Sequence, residues 1–280
     1  MNYSTALKLF LIIFTNILVT FLSAQKISEY YDIKFRKLST ENLLPSNIIA
    51  GVVQDKNGFL WIGTSNGLVR YDGVKTKIFQ NIQSDSSSIP SSVIKAILID
   101  SKGILWLGTI NGVVKFDPTL EEFTDIHKQP DLSKLRGYFS RLYLDSKGRL
   151  SCWDMNSKSC LVIDSHTDKL IAVFNEKTIG RENWITGDKN LLFVDQDEFW
   201  FSTSKGELLI IGLKDSKIST FVTDINKNPS GRKNFSTIYR DRKGNIYCGG
   251  EGFYVLPFTK KSTFAFEYIN LNRNGKNADD

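Results

Sequence analysis

Residues 52–73 read VVQDKNGFLWIGTSNGLVRYDG, and residues 97–118 read ILIDSKGILWLGTINGVVKFDP. The two stretches lie 45 residues apart and share an Asp, a Gly three residues on, a Trp, a Gly-Thr pair and a closing Asn-Gly. With Asp55 as anchor, equivalent aspartates recur at Asp100, Asp145, Asp195 and Asp241, at spacings of 45, 45, 50 and 46 residues. Each is followed by a short turn, an apolar stretch, a second turn and another apolar stretch. Self-similarity at a period of about 40–50 residues is the mark of solenoids or propellers.

Local periodicity decides between these two. Copy two breaks into pieces at 93–99, 104–109, 112–116 and 122–126, rich in β-branched and aromatic residues and bounded by Gly, Asp, Asn or Pro. None carries an apolar stripe at helical spacing, which excludes a helical solenoid. The pattern predicts an all-β chain, a β-propeller of four-stranded antiparallel blades, about five of them, over residues 25–270. Asp-x-x-Gly predicts a tight turn whose Asp accepts from backbone N–H groups while the Gly turns left-handed. Asn66-Gly67 and Asn111-Gly112 predict type I′ hairpins. Trp61 and Trp106, with Phe201, Trp200 and Tyr247 in later copies, are large enough to fill the wedge between neighbouring blades, and their fixed position in the strand favours core over a sugar-stacking role. Copies three and four are degraded: Ser151-Cys152-Trp153-Asp154 replaces Trp-Ile-Gly-Thr, and Gln196-Asp197-Glu198 stands where the turn Gly belongs.

The first 24 residues are different in kind. Lys8 precedes an apolar run at 9–22, and Ser23-Ala24 precedes Gln25. That order predicts a secretory signal peptide cleaved after Ala24, with a run too short for a spanning helix, so the mature chain is expected to be periplasmic or secreted with no membrane span. Export permits disulfides. If a hairpin is centred on Asn156, Cys152 and Cys160 face each other as a candidate pair; two small buried hydrophobes is the other reading, and Cys248 stays unpaired in both. His127 and His166 are isolated, so no metal or other cofactor is expected. The 36 basic and 30 acidic residues are scattered without a basic run, which argues against nucleic acid as a partner.

The stretch 55–73, Asp-x-x-Gly-Phe-Leu-Trp-Ile-Gly-Thr-x-Asn-Gly-Leu-x-Arg-Tyr-Asp-Gly, resembles the two-component regulator propeller repeat, as does the lead-in at residues 35–47. The resemblance covers about residues 31–270 and is most specific in copies one and two. It implies the periplasmic sensor region of a Bacteroidetes hybrid two-component system that detects glycan breakdown products, with an oligosaccharide or other small periplasmic ligand as partner. No kinase or DNA-binding segment follows in this chain. Residues 32–38 resemble a fourth, outer strand, yet residues 263–269 stand where the last blade's own fourth strand belongs. A closed five-bladed ring is allowed, but an incomplete ring is the favoured expectation, with residues 271–280 a polar tail and open blade edges inviting association. A secreted lectin-like or protein-interaction propeller without a signalling role is the alternative.

Ligands of such a fold are expected on one face, near the central channel, among the inter-blade loops. Trp184 lies off the repeat pattern, in Arg181-Glu-Asn-Trp-Ile-Thr186, and a Trp beside Arg and Asn can stack on and hydrogen-bond a sugar ring. Arg136 and Tyr138 are a second candidate pair. Catalysis is not expected: the recurrent aspartates are turn residues, one per blade, not a facing pair over a cleft.

Overall fold

The computed structural model describes residues 37–128, 132, 136–180, 192–195, 197–202, 207–213, 218–222, 235–250, 253–257 and 267–268. The leader at 1–24, residues 32–36 of the outer-strand candidate at 32–38 and the tail at 271–280 fall outside them, as do Arg181 and Trp184, and residues 37–38 are not in a strand. Among the described residues no helix is long and apolar enough to cross a membrane.

Among the described residues five antiparallel four-stranded sheets follow one another, each in plain meander order. The first holds β1 (Ile49–Gln54), β2 (Leu60–Thr64), β3 (Gly67–Tyr71) and β4 (Thr76–Phe79); the second holds β5 (Ile94–Ile99), β6 (Leu105–Thr109), β7 (Gly112–Asp117) and β8 (Glu122–Asp125). The third comprises β9 (Phe139–Leu144), β10 (Arg149–Asp154), β11 (Ser159–Asp164) and β12 (Lys169–Phe174). β13 (Leu192–Asp195), β14 (Glu198–Ser202), β15 (Glu207–Gly212) and β16 (Ile218–Val222) make the fourth. The fifth is built from β17 (Phe235–Arg240), β18 (Ile246–Gly250), β19 (Phe253–Leu256) and β20 (Glu267–Tyr268), so it draws its fourth strand from its own copy. First strands neighbour one another, β1 beside β5 and β5 beside β9, which makes them the inner, axial strands. Among the described residues no closure of the fifth sheet onto the first is found.

Middle strands β6 and β7 are buried along nearly their whole length because the first and third sheets cover their two faces, and β2 and β3 are buried to a similar degree. Four apolar clusters occupy the four gaps, and each contains one tryptophan. Trp61 packs on Leu107 and Phe116 of the second sheet, and Trp106 packs on Phe139 and Leu150 of the third. Trp153 lies against Phe199 and Leu209 of the fourth, and Trp200 against Ile238 and Ile246 of the fifth. These four rings are 2% exposed or less, as expected of inter-blade core.

The anchor aspartate has a second task that the sequence pattern conceals. Its Oδ1 accepts from two turn amides, Asn57 N at 2.9 Å and Phe59 N at 3.1 Å in the first copy. Its Oδ2 accepts from the indole Nε1 of Trp61 at 2.8 Å, and Asp100 repeats the arrangement with Trp106 at 3.1 Å. One carboxylate thus closes the turn and fixes the rotamer of the ring that fills the next gap. Where the Trp is lost, another donor takes its place: Arg149 Nε reaches Asp145 Oδ2 at 2.6 Å, and Asn245 Nδ2 and Tyr247 OH reach Asp241 Oδ2 at 2.8 and 3.2 Å. Burial alone would raise the Asp241 carboxyl, but those donors and the turn amides hold it below the ordinary range. In the fourth sheet Asp195 pairs directly with Glu198, whose Oε2 receives the Trp200 indole at 3.2 Å.

The third sheet exchanges two positions. Relative to the anchor, Ser151 stands where Trp61 stands, and Trp153 stands where Gly63 stands. A shift of two residues along a strand keeps the same face. The large ring therefore still enters the gap, two residues further along, while Ser151 is left with a buried hydroxyl that has no partner. Gly63 and Gly108 are small for the complementary reason. A Cβ on either would lie 2.9 Å from Ile94 Cγ2 or 2.5 Å from the Phe139 carbonyl, so glycine is what lets the next inner strand approach.

Two cations on third strands also staple neighbouring sheets. Arg70 reaches Glu121 at 3.0 Å and Lys115 reaches Asp168 at 2.8 Å, each cation also lying over its own sheet's Trp, at 6.0 and 5.1 Å. Hydrogen bonding and charge from Lys77, with the charge of Arg70, hold the Glu121 carboxyl below its ordinary range. Such partly exposed pairs contribute up to about 1 kcal/mol each. The equivalent position in the third sheet is Val162, and there Lys147 and Arg149 reach Asp197 of the fourth sheet instead, at 2.9 and 2.8 Å.

Two expectations need correction. In the Asn-Gly hairpins the turn centres are Ser65-Asn66, because Thr64 pairs with Gly67, and positive φ falls on Gly67 (120°) and not on Asn66. The Thr64 hydroxyl donates to Gly67 O at 2.8 Å and accepts from Asn66 N at 3.0 Å, which stabilises this geometry over a type I′ turn. The cysteine pair is also displaced. Cys152 lies opposite Leu161 and Cys160 opposite Trp153, because the hairpin is centred half a residue beyond Asn156. That offset puts the two sulfurs on opposite faces of the sheet, in different clusters, as free thiols. Burial pushes both thiols far above the ordinary value and Cys248 up to about 12. A thiol reagent at neutral pH should accordingly find none of these three groups in the folded chain and all three after denaturant. A titre of one thiol per denatured, unreduced chain would restore the disulfide.

Candidate functional site

The inner strands are where the repeats differ most in chemistry. Ala50, Lys95 and Ser140 occupy one position in the first three copies, spaced 45 residues apart, and Gly51, Ala96 and Arg141 occupy the next. These strands wall a cavity of about 360 Å³ at the end where the chain enters β1, β5 and β9, bounded by Ile48, Ile49, Ala50, Ile94, Lys95, Tyr138, Ser140 and Arg141. A second cavity of about 210 Å³ continues from it along β5 and β9 and shares Ala50, Lys95, Ser140 and Arg141.

Tyr138 sits at the rim on a firmly held backbone. Its N–H donates to Asp154 Oδ1 at 2.9 Å, and its carbonyl accepts from Met155 N at 2.8 Å. The buried Asp154 carboxylate also accepts from Asn156 N at 3.0 Å and Ser157 N at 3.2 Å, tying the β10–β11 hairpin to the approach to β9. Gly137 precedes Tyr138 because a Cβ there would run into that carboxylate. The Lys95 ammonium lies 5.5 Å from the Tyr138 ring centroid, a cation–π contact, and has no carboxylate partner among the described residues. Ser140 Oγ is buried and makes no hydrogen bond. Ile48 and Ile49 supply exposed apolar surface at the same rim, 67% and 42% accessible. No Asp or Glu is among the lining residues, so the lining offers no facing carboxylate pair.

Of the expected site residues, Tyr138 is at the cavity. Arg136 is not: it is exposed and donates from Nη2 to Asp125 Oδ2 at 3.3 Å, while Asp125 also binds the buried His127 through its backbone N and Nδ1. Arg181 and Trp184 lie outside the described residues. Lys95, Ser140 and Arg141 escaped sequence reasoning because they sit inside strands and not in loops. Superposing the 45-residue copies position by position would have exposed them, since an inner-strand position that changes from Ala to Lys to Ser is not packing a core.

Comparison with known proteins fits this architecture. Residues 43–66 and 88–111 match the sequence model of the family described as two component regulator propeller. A 76-residue stretch is 33% identical to Histidine kinase P4 of Formosa agariphila, covering 27% of this chain and 6% of the kinase. Among solved structures, the extracellular domain of a hybrid two component system from B. thetaiotaomicron superposes with a TM-score of 0.57 at 18% identity, over 85% of this chain and 36% of that one. The extracellular domain of a one component system from the same organism gives 0.61 at 18%, over 87% and 33%. Virginiamycin B lyase from Staphylococcus aureus gives 0.55 at 12%, over 81% and 71%. At these identities the structural likenesses establish the fold, and the chain spans about a third of the length of the two extracellular domains. Residues 43–66 and 88–111 thus match two component regulator propeller repeats, and they supply β1 and β5, two of the three inner strands that wall the cavity.

Proposed function

We propose that the chain is the ligand-sensing propeller of a two-component signalling system, exported to the periplasm, where it recognises breakdown products of complex glycans. The observation that carries this reading is the match of the first two copies to two component regulator propeller repeats, joined to a short likeness to a histidine kinase. The axial cavity supports it: an aromatic face, an unsatisfied hydroxyl and apolar rims suit a polyhydroxylated ring with one apolar side. The test is an array of plant, algal and animal oligosaccharides probed with the whole chain. Saturable binding of at least one oligosaccharide, lost on heat denaturation, is the expected result. Retention of none, with stable capture of a protein partner instead, would favour an interaction propeller.

A further inference from the structure

Each sheet turns one face to the sheet before it and the other to the sheet after it. In the fifth sheet Ile238, Ile246, Cys248, Tyr254 and Leu256 face the fourth, in the cluster around Trp200. Strand alternation therefore puts Tyr239, Tyr247, Gly249, Phe253 and Val255 on the far face. In the earlier sheets these are interface positions. Tyr247 stands six residues after its anchor aspartate, as Trp61 and Trp106 do. Phe253 lies opposite Gly249 as Leu68 lies opposite Gly63 and Val113 opposite Gly108, and both earlier residues are 1% exposed or less. Val255 holds the third-strand place that Val162 and Ile210 hold in the third and fourth sheets, where the following sheet buries them.

The fifth sheet keeps this chemistry without a covering sheet among the described residues. Tyr239 is 63% exposed, and Tyr247, Phe253 and Val255 are half-buried. Tyr239, Tyr247 and Phe253 form a row of rings with centroids 6.4 and 5.9 Å apart. The Tyr247 hydroxyl donates to Asp241 Oδ2, so the middle of the row offers a partner its ring and not its polar tip. Rings on rings already fill one gap of this chain: Trp61 and Phe79 of the first sheet meet Phe116 of the second at 5.3 and 5.1 Å, edge to face. The aliphatic alternative is closed. Among the described sheets only the first has a face with no preceding sheet, and Val52, Ile62, Val69 and Ile78 stand in line across it. Its two central residues, Ile62 and Val69, are already buried, at 4% and 0% exposure. The surface left for a second copy to meet is the ring row itself.

We propose that the chain forms a two-fold dimer through this face, the Tyr239–Tyr247–Phe253 row of one copy packing on the same row of a second. Such a contact is isologous and closes on itself, so no longer series of copies grows from it. It joins sheet to sheet by their faces and does not use the open outer edges. The row makes a patch below the standard interface size, which sets the dissociation constant on the order of 10–100 μM. The proposal is independent of the sensor reading.

Sedimentation velocity of the whole chain across that concentration range tests it. A monomer giving way to a dimer, with nothing larger, is the expected result. Tyr239→Asp should weaken the dimer at least about tenfold, because it places an unpaired charge in the contact. Its melting temperature as a monomer should not move, since Tyr239 is exposed in the single chain. Val52→Asp, at the opposite end of the fan where Val52 is 53% exposed, should leave the dimer as tight as the parent's. A monomer at every concentration would overturn the proposal and leave the face to a different occupant. Species that keep growing, or loss of the dimer in Val52→Asp, would overturn it in favour of head-to-tail stacking. A dimer unchanged by Tyr239→Asp would overturn it as well. Should that variant fail to fold, hydroxyl-radical footprinting of the parent decides. Oxidation of Tyr239 should drop several-fold at dimer concentrations while that of Tyr138, at the cavity rim, stays constant; an unchanged Tyr239 would rule the dimer out.

Discussion

Trp106→Ala should lower the stability of the chain by about 3–5 kcal/mol, the range for truncating a large buried aromatic. The ring is fully buried between the second and third sheets, against Val113, Phe139, Leu150 and Ile163, so little of the void can be refilled from outside. The substitution also strips Asp100 Oδ2 of its indole donor, loosening the turn that sets the strand register. Trp106→Phe separates the two contributions. It keeps most of the apolar volume and loses the hydrogen bond, and should cost about 1–2 kcal/mol. Urea melts followed by circular dichroism would measure both, and a Trp106→Ala chain as stable as the parent would contradict the inter-sheet packing.

The second large effect is expected at a glycine. Gly67 has φ of 120°, and a Cβ on it would lie 2.6 Å from the carbonyl oxygen of Phe79, a backbone atom that cannot swing away. Gly67→Ala therefore meets both an unfavourable backbone conformation, about 1–2 kcal/mol, and a clash that forces β3 and β4 apart. Gly73 is the control: its φ is 98°, and nothing lies within 4 Å of the added methyl. Gly73→Ala should cost only the conformational part, about 1 kcal/mol. Equal losses at the two sites would show that strand approach is not what selects glycine at position 67.

These two positions also show what was legible in the sequence. The Asp, Trp and Gly spacing identified the blade, its strands and its core ring, because each is imposed by local geometry repeated in the same place. The hairpin type was misread because Asn-Gly suits two turn geometries, and the choice rests on the Thr64 hydroxyl, which bonds across the turn. The cysteines were left open between a cross-strand pair and two buried hydrophobes, and the second holds because a half-residue shift in the centre of the hairpin puts them on opposite faces. Trp153 was recognisable as a departure, but its compensation for Ser151 depends on face parity and on the next sheet's approach. The site was least legible. Tyr138 was singled out for its loop and does lie at the cavity, whereas Arg136 pairs with Asp125 away from it. Lys95, Ser140 and Arg141 are ordinary strand residues until three inner strands are set side by side.

The dependence of all this on rings buried between sheets is open to one direct optical measurement, iodide quenching of tryptophan fluorescence. Of the five tryptophans, Trp61, Trp106, Trp153 and Trp200 are buried in four successive gaps. In a Trp184→Phe chain the native emission should be blue-shifted and almost untouched by iodide, becoming fully quenchable in urea. Strong quenching of the native variant, with emission like that of free tryptophan, would mean that these rings face water and that the sheets do not stack as described.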